Sequence, residues 1–341
     1  FLNPIIQRIL AKGNYVGGQE IEIFEKNISR ICDTKYAVAL NSGTDALILG
    51  LYMLGIRRGD EVITPPNSFI SSTSAIVHIR AKPVFVDVLR DQNMNPELIE
   101  KAITKKTKWL ILNSPSNPTG AGYTKDEIEN LSKILIKHKK VHILSDDIYE
   151  HITYGKFNFF TIAQINELKD RTLTMNGVSK SYAMTGWRIG YGAGPVEIIK
   201  AMAKIQSQST TNPSSISQAA AVEALNGPQN FILERSKEFQ ERRDFVVKSL
   251  NEIKGLSCLN PDGAFYVFPN CSKCLNKKDK KGKLLKTDSD FVESLLENNG
   301  VAVVQGSAFG LEGYFRISYA TSMQNLKNAL KRISEFCNSL S

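Results

Sequence analysis

The sequence predicts an α/β fold, in which helices cover a mostly parallel sheet, together with a smaller α+β domain. Short apolar runs typical of strands alternate with amphipathic runs of about 10 to 15 residues over most of the first two-thirds of the chain. Such alternation is typical of parallel strands that are joined by helices. At 341 residues, 42% of them hydrophobic, the chain is long enough for one large and one smaller domain.

The elements of the large domain are predicted from these runs and from the turn residues between them. Strands are expected at residues 35–43, 60–66, 82–88, 108–113, 142–147 and 172–178. Helices are expected at residues 44–55, 68–80, 95–104 and 125–138. Gly55 is typical of a helix end, whereas Asn95 followed by Pro96 is typical of a helix start.

The pattern changes near Gly227, where we predict the domain boundary. Residues 16–227 are assigned to the large domain, and residues 1–15 together with 228–341 to the small one. A long charged helix over about residues 229–253 is expected to connect them. The runs "GAFYVFPN" and "GYFRISYA" then supply strands of the small domain.

Several classes of protein are disfavoured by composition. No apolar run reaches about 18 residues, so no membrane partner is expected, and the start of the sequence lacks the pattern of a signal peptide. Five cysteines, an odd number spread along the chain, fit a reduced cytoplasmic protein better than a disulfide scaffold. Cys271 and Cys274 form a CxxC motif, but no second cysteine pair or nearby histidine completes a zinc site. No metal is therefore expected, and a redox or metal role is the less favoured alternative.

Nearly half of the net charge of +9 lies in one segment. Residues 271–290 contain seven lysines against three aspartates and no aromatic residue that could stack on bases. A solvated loop explains this run better than a nucleic-acid site does. We therefore expect no nucleic-acid partner.

Candidate site residues follow the strands, and ligands bind open parallel sheets beyond the carboxyl ends of their strands. The run "NSGTDALILGL" places Ser42, Gly43 and Thr44 where a helix begins after a strand, and free N–H groups there favour a phosphate. An ordinary helix cap would explain Ser42 equally well. No GK[ST] follows, and "GYGAGP" is not the dinucleotide fingerprint, so nucleotide hydrolysis and Rossmann-type hydride transfer lose support.

Two more strands end in polar residues. Asp146 and Tyr149 follow a strand in "LSDDIYE", and a buried aspartate needs a cationic or hydrogen-bonding partner. Asn117 follows another strand in "NSPSNPTG". A salt bridge at Asp146 and a simple turn at Asn117 are the structural alternatives.

Lys180 lies between two apolar runs in "NGVSKSYAMTGWRIGY", with Arg188 eight residues later. Most lysines are solvated surface charges, but this one is flanked by runs that predict buried elements. A phosphate site, a strand-end aspartate, a tyrosine, an asparagine and a lysine together match what pyridoxal phosphate (PLP) requires. That cofactor needs a lysine to carry it covalently, an aspartate at its pyridine nitrogen and a separate phosphate anchor.

Two family resemblances follow from longer stretches of the sequence. From about residue 108 to 337 the chain resembles the class I, fold-type I PLP-dependent aminotransferases, and in particular the bacterial aspartate aminotransferases, some of which also accept prephenate. The motifs that carry this resemblance are "KWLILNSPSNPTGAGYT", "LSDDIYEHITY", "NGVSKSYAMTGWRIGY", "IQSQSTTNPSSISQAAAVEALNGP", "PDGAFYVF" and "GYFRISYATS".

Residues 5–106 resemble a different group, the DegT/DnrJ/EryC1 sugar aminotransferases. The motifs are "GNYVGGQEIEIFEKNIS", "YAVALNSGTDALILGLYMLGIRRGDEVITPPNSFISSTSAI" and "KPVFVDVLRDQNMNPELIEKAIT". The two resemblances meet near "ITKKTKWLI". Both groups share one large-domain topology, so a continuous fold-type I sheet is expected.

The resemblance implies a role for each candidate residue. Lys180 would carry PLP covalently, Asp146 would pair with its pyridine nitrogen, and Tyr149 and Asn117 would hydrogen-bond its phenolic oxygen. These residues, together with Arg316, form the predicted catalytic and substrate-binding set.

The remaining implied contacts concern phosphate, ring and substrate. Phosphate would be held by the helix start at Ser42, Gly43 and Thr44, by Arg188 and by the hydroxyl of Ser179. Phe69 would stack on the cofactor and border the substrate, at a position where class I enzymes usually carry Trp. Arg316 and Asn117 would bind the substrate, with Arg316 gripping its α-carboxylate.

The implied function is PLP-dependent transamination between an L-amino acid, aspartate or glutamate by preference, and a 2-oxoacid such as 2-oxoglutarate. The resemblance also implies a cytoplasmic homodimer in which Tyr15 reaches the phosphate of the partner. Two alternatives stay open. One is amination of a keto-sugar nucleotide, and the other is a PLP-binding chain with little turnover because its two parts resemble different families.

Overall fold

The computed structural model of the chain describes residues 2–53 and 55–341. Phe1, in the predicted small domain, and Leu54, in the predicted helix 44–55, lie outside the described residues. The helices are α1 (Leu2–Lys12), α2 (Gln19–Ile31), α3 (Gly43–Met53), α4 (Ile70–His78), α5 (Pro96–Ala102), α6 (Lys125–Lys137), α7 (Asn166–Lys169), α8 (Val196–Gln208), α9 (Ser215–Asn226), α10 (Asn230–Glu252), α11 (Asp288–Asn299) and α12 (Met323–Asn338). The strands are β1 (Tyr36–Leu40), β2 (Glu61–Thr64), β3 (Lys82–Phe85), β4 (Thr107–Asn113), β5 (His142–Asp146), β6 (Thr172–Gly177), β7 (Gly190–Gly194), β8 (Tyr266–Val267), β9 (Val304–Gln305) and β10 (Phe315–Ser318).

Seven strands form the large sheet in the order β1-β7-β6-β5-β4-β2-β3. The neighbours from β6 to β3 are parallel, whereas β7 runs antiparallel to both β1 and β6. The predicted mostly parallel sheet is therefore confirmed, with β7 as a strand that the sequence analysis did not assign. Its sequence, "GYGAG", contains three glycines, which weaken the strand signal.

Helices cover both faces of this sheet, as predicted. In β4, Trp109 and Ile111 face a core cluster formed with α3, α4 and α8. Leu110 and Leu112 point to the opposite face and pack with α5 and α6. Successive side chains of a strand alternate between its faces, so an unbroken apolar run buries both sides of the sheet.

A smaller second domain is present, as predicted. Its antiparallel sheet has the order β8-β10-β9, and Phe315 of β10 packs against Phe291 of α11, with ring centroids 5.2 Å apart. The predicted long helix is observed as α10. The predicted bounds of the two domains stay a prediction. Helix α1, which the sequence assigns to the small domain, contacts α9 of the predicted large domain.

Local signals explain where individual helices begin. Asn95 accepts a hydrogen bond from the N–H of Glu97 at 2.9 Å, with Pro96 directly after it, and this confirms the predicted start of α5. Among the described residues, no helix is both long and apolar enough to cross a bilayer. Within residues 2–53 and 55–341, no group of three or more His, Cys, Asp or Glu side chains is placed to hold a metal ion.

Candidate active site

The carboxyl ends of the parallel strands bring the candidate residues to one edge of the large sheet. Asn117, Asp146 and Lys180 follow β4, β5 and β6, which are neighbours in the sheet. Gly43 begins α3 directly after β1, and Phe69 is the residue that precedes α4 after β2. Parallel strands present their carboxyl ends at the same edge, and this convergence follows from the topology.

All of the predicted site residues line one cavity of about 400 Å³. They are Ser42, Gly43, Thr44, Phe69, Asn117, Asp146, Tyr149, Ser179, Lys180, Arg188 and Arg316. The same cavity is also lined by residues that the sequence analysis did not name, which are Leu47, Ser71, Asn113, Ile148, Met175 and Tyr266. The structure thus brings together residues that are up to 274 positions apart in the chain.

Asp146 ends β5 and is a half-buried residue that lines the cavity. Its Oδ1 accepts a hydrogen bond from the N–H of Ile148 at 3.3 Å, and its backbone carbonyl accepts one from Asn113 Nδ2 at 3.1 Å. Burial raises the pKa of Asp146 to about 7, and the neighbouring Asp147 raises it further, whereas the Ile148 N–H and Lys180 oppose the rise. A positive charge placed next to such a buried carboxyl group would stabilise its ionised form.

Lys180 lies in a partly apolar environment. Its Nζ lies 6.0 Å from the ring centroid of Tyr149 and 5.9 Å from that of Phe265. Burial lowers the pKa of Lys180, Asp146 opposes this, and the cationic Arg188 and Arg316 lower it further. The result is an amine that becomes neutral more readily than an ordinary lysine.

Arg316, on β10, reaches the cavity from the small domain. Its Nη1 donates a hydrogen bond of 2.8 Å to Asn117 Oδ1, while its buried Nε has no hydrogen-bond partner. The guanidinium lies between two rings, 4.5 Å from the centroid of Tyr266 and 4.9 Å from that of Phe309. A flat, fixed guanidinium with a free N–H is suited to bind a carboxylate.

Tyr149 and Asn117 have fixed positions beside these charges. Tyr149 is 2% exposed, and its hydroxyl donates to the hydroxyl of Tyr266 at 3.2 Å. Burial raises the pKa of Tyr149 well above its usual value, so the side chain is a hydrogen-bond donor at neutral pH. Asn117 is held through its backbone N–H, which donates to Asn113 Oδ1 at 3.0 Å.

The predicted phosphate site lies where α3 begins. The hydroxyl of Ser42 accepts a hydrogen bond from the N–H of Asp45 at 3.1 Å, so the cap interpretation of Ser42 is confirmed. The first N–H groups of α3, at Gly43 and Thr44, have no partner within the helix. A Cβ on Gly190 of β7 would lie 2.7 Å from the carbonyl carbon of Ser42, so only glycine lets this loop pack so closely.

Arg188 and Ser179 complete this side of the cavity. Arg188 precedes β7, has a left-handed backbone conformation with φ of 56°, and donates from Nη1 to the carbonyl of Thr185 at 2.8 Å. Ser179 is half-buried directly before Lys180. Phe69 is 47% exposed, which leaves much of its ring open toward a ligand.

The cavity that the predicted site residues line is not the largest one in the described part of the chain. A cavity of about 540 Å³ lies in the small domain, between α12, β10 and residues 300–304. No lysine, aspartate or glutamate lines it. The convergence of acidic, basic and amide groups therefore favours the smaller cavity as the active site.

Comparison with known proteins identifies the family. The profile of aminotransferase class I and II matches residues 13–333. The chain belongs to this family. Aminotransferases of this family depend on PLP, which is bound covalently to a lysine, and they act on amino acids and 2-oxoacids.

Individual relatives support the same assignment. The chain is 50% identical over 307 residues, 89% of its length and 75% of the relative, to a probable aspartate/prephenate aminotransferase of Rickettsia felis. It is 53% identical over 308 residues, 89% of its length and 75% of the relative, to aspartate aminotransferase of Rhizobium meliloti. The crystal structure of the Rhizobium meliloti aspartate aminotransferase superposes with a TM-score of 0.92 at 46% identity, covering 100% of this chain and 88% of that one.

These matches also bear on the first hundred residues of the aminotransferase. The family match begins at residue 13 and continues across the predicted change of family near residue 107. The relatives likewise align with about nine-tenths of the chain. The resemblance of residues 5–106 to sugar aminotransferases therefore finds no support in these matches, which assign one family to the whole of residues 13–333.

The residues of the cavity fit the cofactor of this family. A phosphate is suited to the start of α3 and to Arg188, since both present positive charge. Asp146, whose pKa burial raises to about 7, forms no ion pair with any described residue, and a protonated ring nitrogen would supply one. Lys180 is the lysine of this cavity whose amine could hold the cofactor, and the buried Nε of Arg316 has no hydrogen-bond partner among the described residues.

Buried carboxyl groups next to the cavity lead to a stability prediction for the cofactor-free aminotransferase. Burial raises the pKa of Asp147 to about 7 from 3.8, so its folded-state pKa exceeds the unfolded one. A group of this kind stabilises the fold below the unfolded pKa, and that contribution is lost as pH rises through the folded pKa. We compare the free energy of unfolding of D147N with that of the wild type at the same pH. We expect the difference, D147N minus wild type, to increase by on the order of 2 kcal/mol when the pH rises from 5 to 8.

Urea unfolding of both proteins at the two pH values measures this difference. Subtracting the wild type removes the contributions of groups that do not interact with Asp147. The pKa of Asp146 falls in D147N, because Asp147 contributes to its rise, and this adds to the same gain. A difference that stays constant with pH would show that Asp147 titrates at its usual value in the folded protein.

Tyr266 is the most informative residue that the sequence analysis missed. It pairs across the small sheet with Ser318, two residues beyond Arg316, so the two side chains share one face. The quoted motif "GAFYVF" contains it, but nothing in a single sequence indicates the register of two short strands. No pattern in the sequence therefore pointed to it.

Proposed function

We propose that this aminotransferase exchanges the amino group of an L-amino acid, aspartate or glutamate by preference, for the oxo group of a 2-oxoacid such as 2-oxoglutarate. The observation that carries this proposal is Arg316, whose buried Nε has no partner in the cavity that also contains Lys180 and Asp146. An unpaired buried guanidinium N–H calls for an anionic ligand, and the α-carboxylate of an amino acid supplies one.

The relatives support the choice of substrate. Two curated relatives are named for aspartate, one of them also for prephenate. A solved aromatic aminotransferase of Pyrococcus horikoshii also superposes, with a TM-score of 0.87 at 35% identity over 98% of this chain and 91% of that one. Aromatic amino acids are therefore included among the substrates to be tested.

Lys180 has two tasks in the proposed reaction. Its Nζ holds the cofactor and, when free, takes the proton from the α-carbon of the substrate. The lowered pKa of Lys180 favours the neutral amine that this second task requires. When bound, PLP supplies an electron sink for the charge that develops on the α-carbon.

Asp146, Tyr149 and Asn117 act on the cofactor ring in this proposal. Asp146, ionised by a protonated ring nitrogen, keeps that nitrogen protonated, and this maintains the electron demand of the ring. Tyr149 donates a hydrogen bond to the phenolic oxygen, and Asn117 adds an amide donor there while its Oδ1 orients Arg316. The site therefore stabilises one charge distribution before the substrate arrives.

The phosphate and ring contacts position the cofactor. The N–H groups of Gly43 and Thr44, the guanidinium of Arg188 and the hydroxyl of Ser179 are the proposed phosphate ligands. Phe69, which also borders the substrate, stacks on the ring. Ser42 contributes by capping α3, because its hydroxyl is engaged with Asp45.

Replacement of Arg316 by glutamine tests the substrate contact. We expect kcat/KM for aspartate to fall by about 100- to 1000-fold, since a buried charged partner of a carboxylate is removed. Cofactor binding should stay within about twofold, because the proposal gives Arg316 no phosphate contact. R332Q on α12, outside this cavity, serves as the control. An R316Q variant with wild-type kcat/KM would contradict the contact.

The two alternatives are less well supported. A keto-sugar nucleotide has no α-carboxylate, so it leaves the free Nε of Arg316 without a partner. A chain with little turnover was considered because its two parts resembled different families, and the continuous family match over residues 13–333 removes that reason.

A spectroscopic titration tests the proposed substrate class. The purified protein is loaded with PLP and titrated with aspartate, glutamate, phenylalanine and an amine that lacks a carboxylate. We expect the two acidic amino acids to convert the absorbance of the lysine-bound cofactor to that of its amine form at the lowest concentrations. Conversion by the amine alone would contradict the proposal, as would a complete lack of conversion.

We further propose a homodimer, a cytoplasmic location and the domain bounds given by the sequence. Tyr15 and Val16 are 54% and 69% exposed, which is consistent with a contact to a second copy and with Tyr15 near the partner's phosphate. All five cysteines are unpaired, as suits a reducing compartment. Sedimentation of the purified protein tests the dimer, which a mass of one chain would contradict.

A further inference from the structure

Tyr266 connects the two groups on which the proposed reaction depends most closely. It lies on β8, is 7% exposed and lines the cavity. Its hydroxyl lies 3.2 Å from the hydroxyl of Tyr149, and its ring lies 4.5 Å from the guanidinium carbon of Arg316. One side chain of the small domain thus contacts both the residue beside the cofactor and the residue that receives the substrate.

The hydroxyl of Tyr266 is suited to strengthen Tyr149 as a donor. A phenolic hydroxyl donates one hydrogen bond and accepts others. When Tyr149 donates to a ligand, Tyr266 is therefore able to donate to Tyr149 across the same 3.2 Å. Hydrogen bonds in such a chain polarise one another, so Tyr149 becomes a better donor than it is alone.

The ring of Tyr266 holds Arg316 in one plane. The guanidinium lies between this ring and that of Phe309, whose centroid is 4.9 Å from the guanidinium carbon. The Nη1 hydrogen bond to Asn117 fixes the direction in which the guanidinium points. Attraction between a cation and an aromatic face is larger where the cation is partly shielded from water, and Arg316 is half-buried.

The charged and titratable groups around Tyr149 are few. Its ring faces Lys180, its hydroxyl meets Tyr266, and the charges of Asp146 and Arg316 act on it. Tyr149 also packs edge-on against the ring of Tyr266 with centroids 6.0 Å apart. Tyr266 therefore contributes the hydroxyl among these partners, and replacing it by phenylalanine leaves the other groups in place.

We propose that Tyr266 is a positioning residue that couples substrate binding at Arg316 to the hydrogen bond that Tyr149 makes with the cofactor. This inference rests on the proposed function. Its two parts separate chemically, because the hydroxyl acts on Tyr149 and the ring acts on Arg316. Removing the hydroxyl alone affects the first part, and removing the ring affects both.

The Y266F variant tests the hydroxyl in the PLP-loaded enzyme. A weaker hydrogen bond from Tyr149 destabilises the ionised phenolic oxygen, so the pKa of the lysine-bound cofactor rises. From the strength of one hydrogen bond we expect a rise of roughly half a pH unit in an absorbance titration. The dissociation constant of succinate, a dicarboxylate that cannot react, should stay within about twofold of the wild type in calorimetry. An unchanged absorbance pKa would overturn this part.

The Y266L variant tests the ring. We expect the same rise in the absorbance pKa, and a succinate dissociation constant that is roughly tenfold larger, because Arg316 loses one of its two rings. An unchanged dissociation constant would show that the ring does not hold Arg316. Y266F retains the ring and nearly the whole volume, so it still tests the proposal if Y266L does not fold.

A second tyrosine pair in the chain supplies a matched control. The hydroxyl of Tyr319 donates to that of Tyr154, also at 3.2 Å, and Tyr319 is fully buried outside the cavity. Y319F therefore removes one hydroxyl from a comparable pair, and both readouts should match the wild type. If the wild type is active and both Y266F and Y266L match it in the two readouts, the inference about Tyr266 is overturned and the proposed function stands. An inactive wild type would instead contradict the proposed function.

Discussion

Replacement of Lys180 by alanine is expected to reduce transamination by at least about 10⁴-fold, the largest effect of any substitution considered. In the proposed reaction the variant loses both the covalent anchor of the cofactor and the amine that takes the α-proton. Steady-state assay measures the loss of activity. Borohydride reduction of the PLP-loaded wild type, followed by peptide mass analysis, should locate the cofactor on the peptide that contains Lys180.

The control for this substitution is Lys204, a surface residue of α8. K204A should keep full activity and full cofactor incorporation, since nothing in the cavity contacts that side chain. The proposed role of Lys180 is wrong if K180A retains the cofactor after reduction, because another lysine would then carry it.

Replacement of Asp146 by asparagine is expected to lower kcat/KM by about 100- to 5000-fold. The substitution keeps the shape of the side chain but removes the carboxylate that we propose pairs with the ring nitrogen. Breaking a buried charge pair by removing one member costs about 3 to 5 kcal/mol, which corresponds to this range. Assays with saturating PLP separate the effect on catalysis from weaker cofactor binding.

Asp147 provides the matched control for Asp146. It is the next residue, its pKa is also raised to about 7 by burial, and its Oδ1 accepts a hydrogen bond of 2.6 Å from Ser145 instead of facing the cavity. D147N should lose less than about tenfold in kcat/KM. Equal losses in D146N and D147N would mean that general disturbance of the loop, rather than a carboxylate at the cofactor, explains the effect.

Much of the site could be predicted because its residues follow parallel strands. The carboxyl ends of β4, β5 and β6 meet at one edge, so Asn117, Asp146 and Lys180 were expected to converge before any contact was known. Polar residues after buried strands are a signal that a single sequence contains. Each of these residues lines the cavity.

Contacts across the small sheet could not be predicted in this way. Tyr266 and Phe309 enclose Arg316 because β8 and β10 pair in one particular register and because a short turn follows β9. Strands of two to four residues carry too little periodicity to fix such a register. Arg316 can therefore be predicted from its motif, whereas the two rings beside its guanidinium cannot.

Glycine content concealed another element. The strand β7 supplies the close contact between Gly190 and the start of α3, and Arg188 lies two residues before this strand. Three glycines in five residues lower strand propensity, although the same glycines are what allow the backbone to approach. The glycines thus lower the strand propensity of residues 190–194, but they permit the close packing that β7 makes in the structure.

The most direct test of the central claim is a multiple-turnover assay of the purified protein with PLP, aspartate and 2-oxoglutarate. Oxaloacetate and glutamate are measured against the amount of enzyme, with K180A in parallel. We predict equal amounts of both products, far above one equivalent per chain, for the wild type and none above background for K180A. Product limited to one equivalent per chain, or turnover that persists in K180A, would contradict the account.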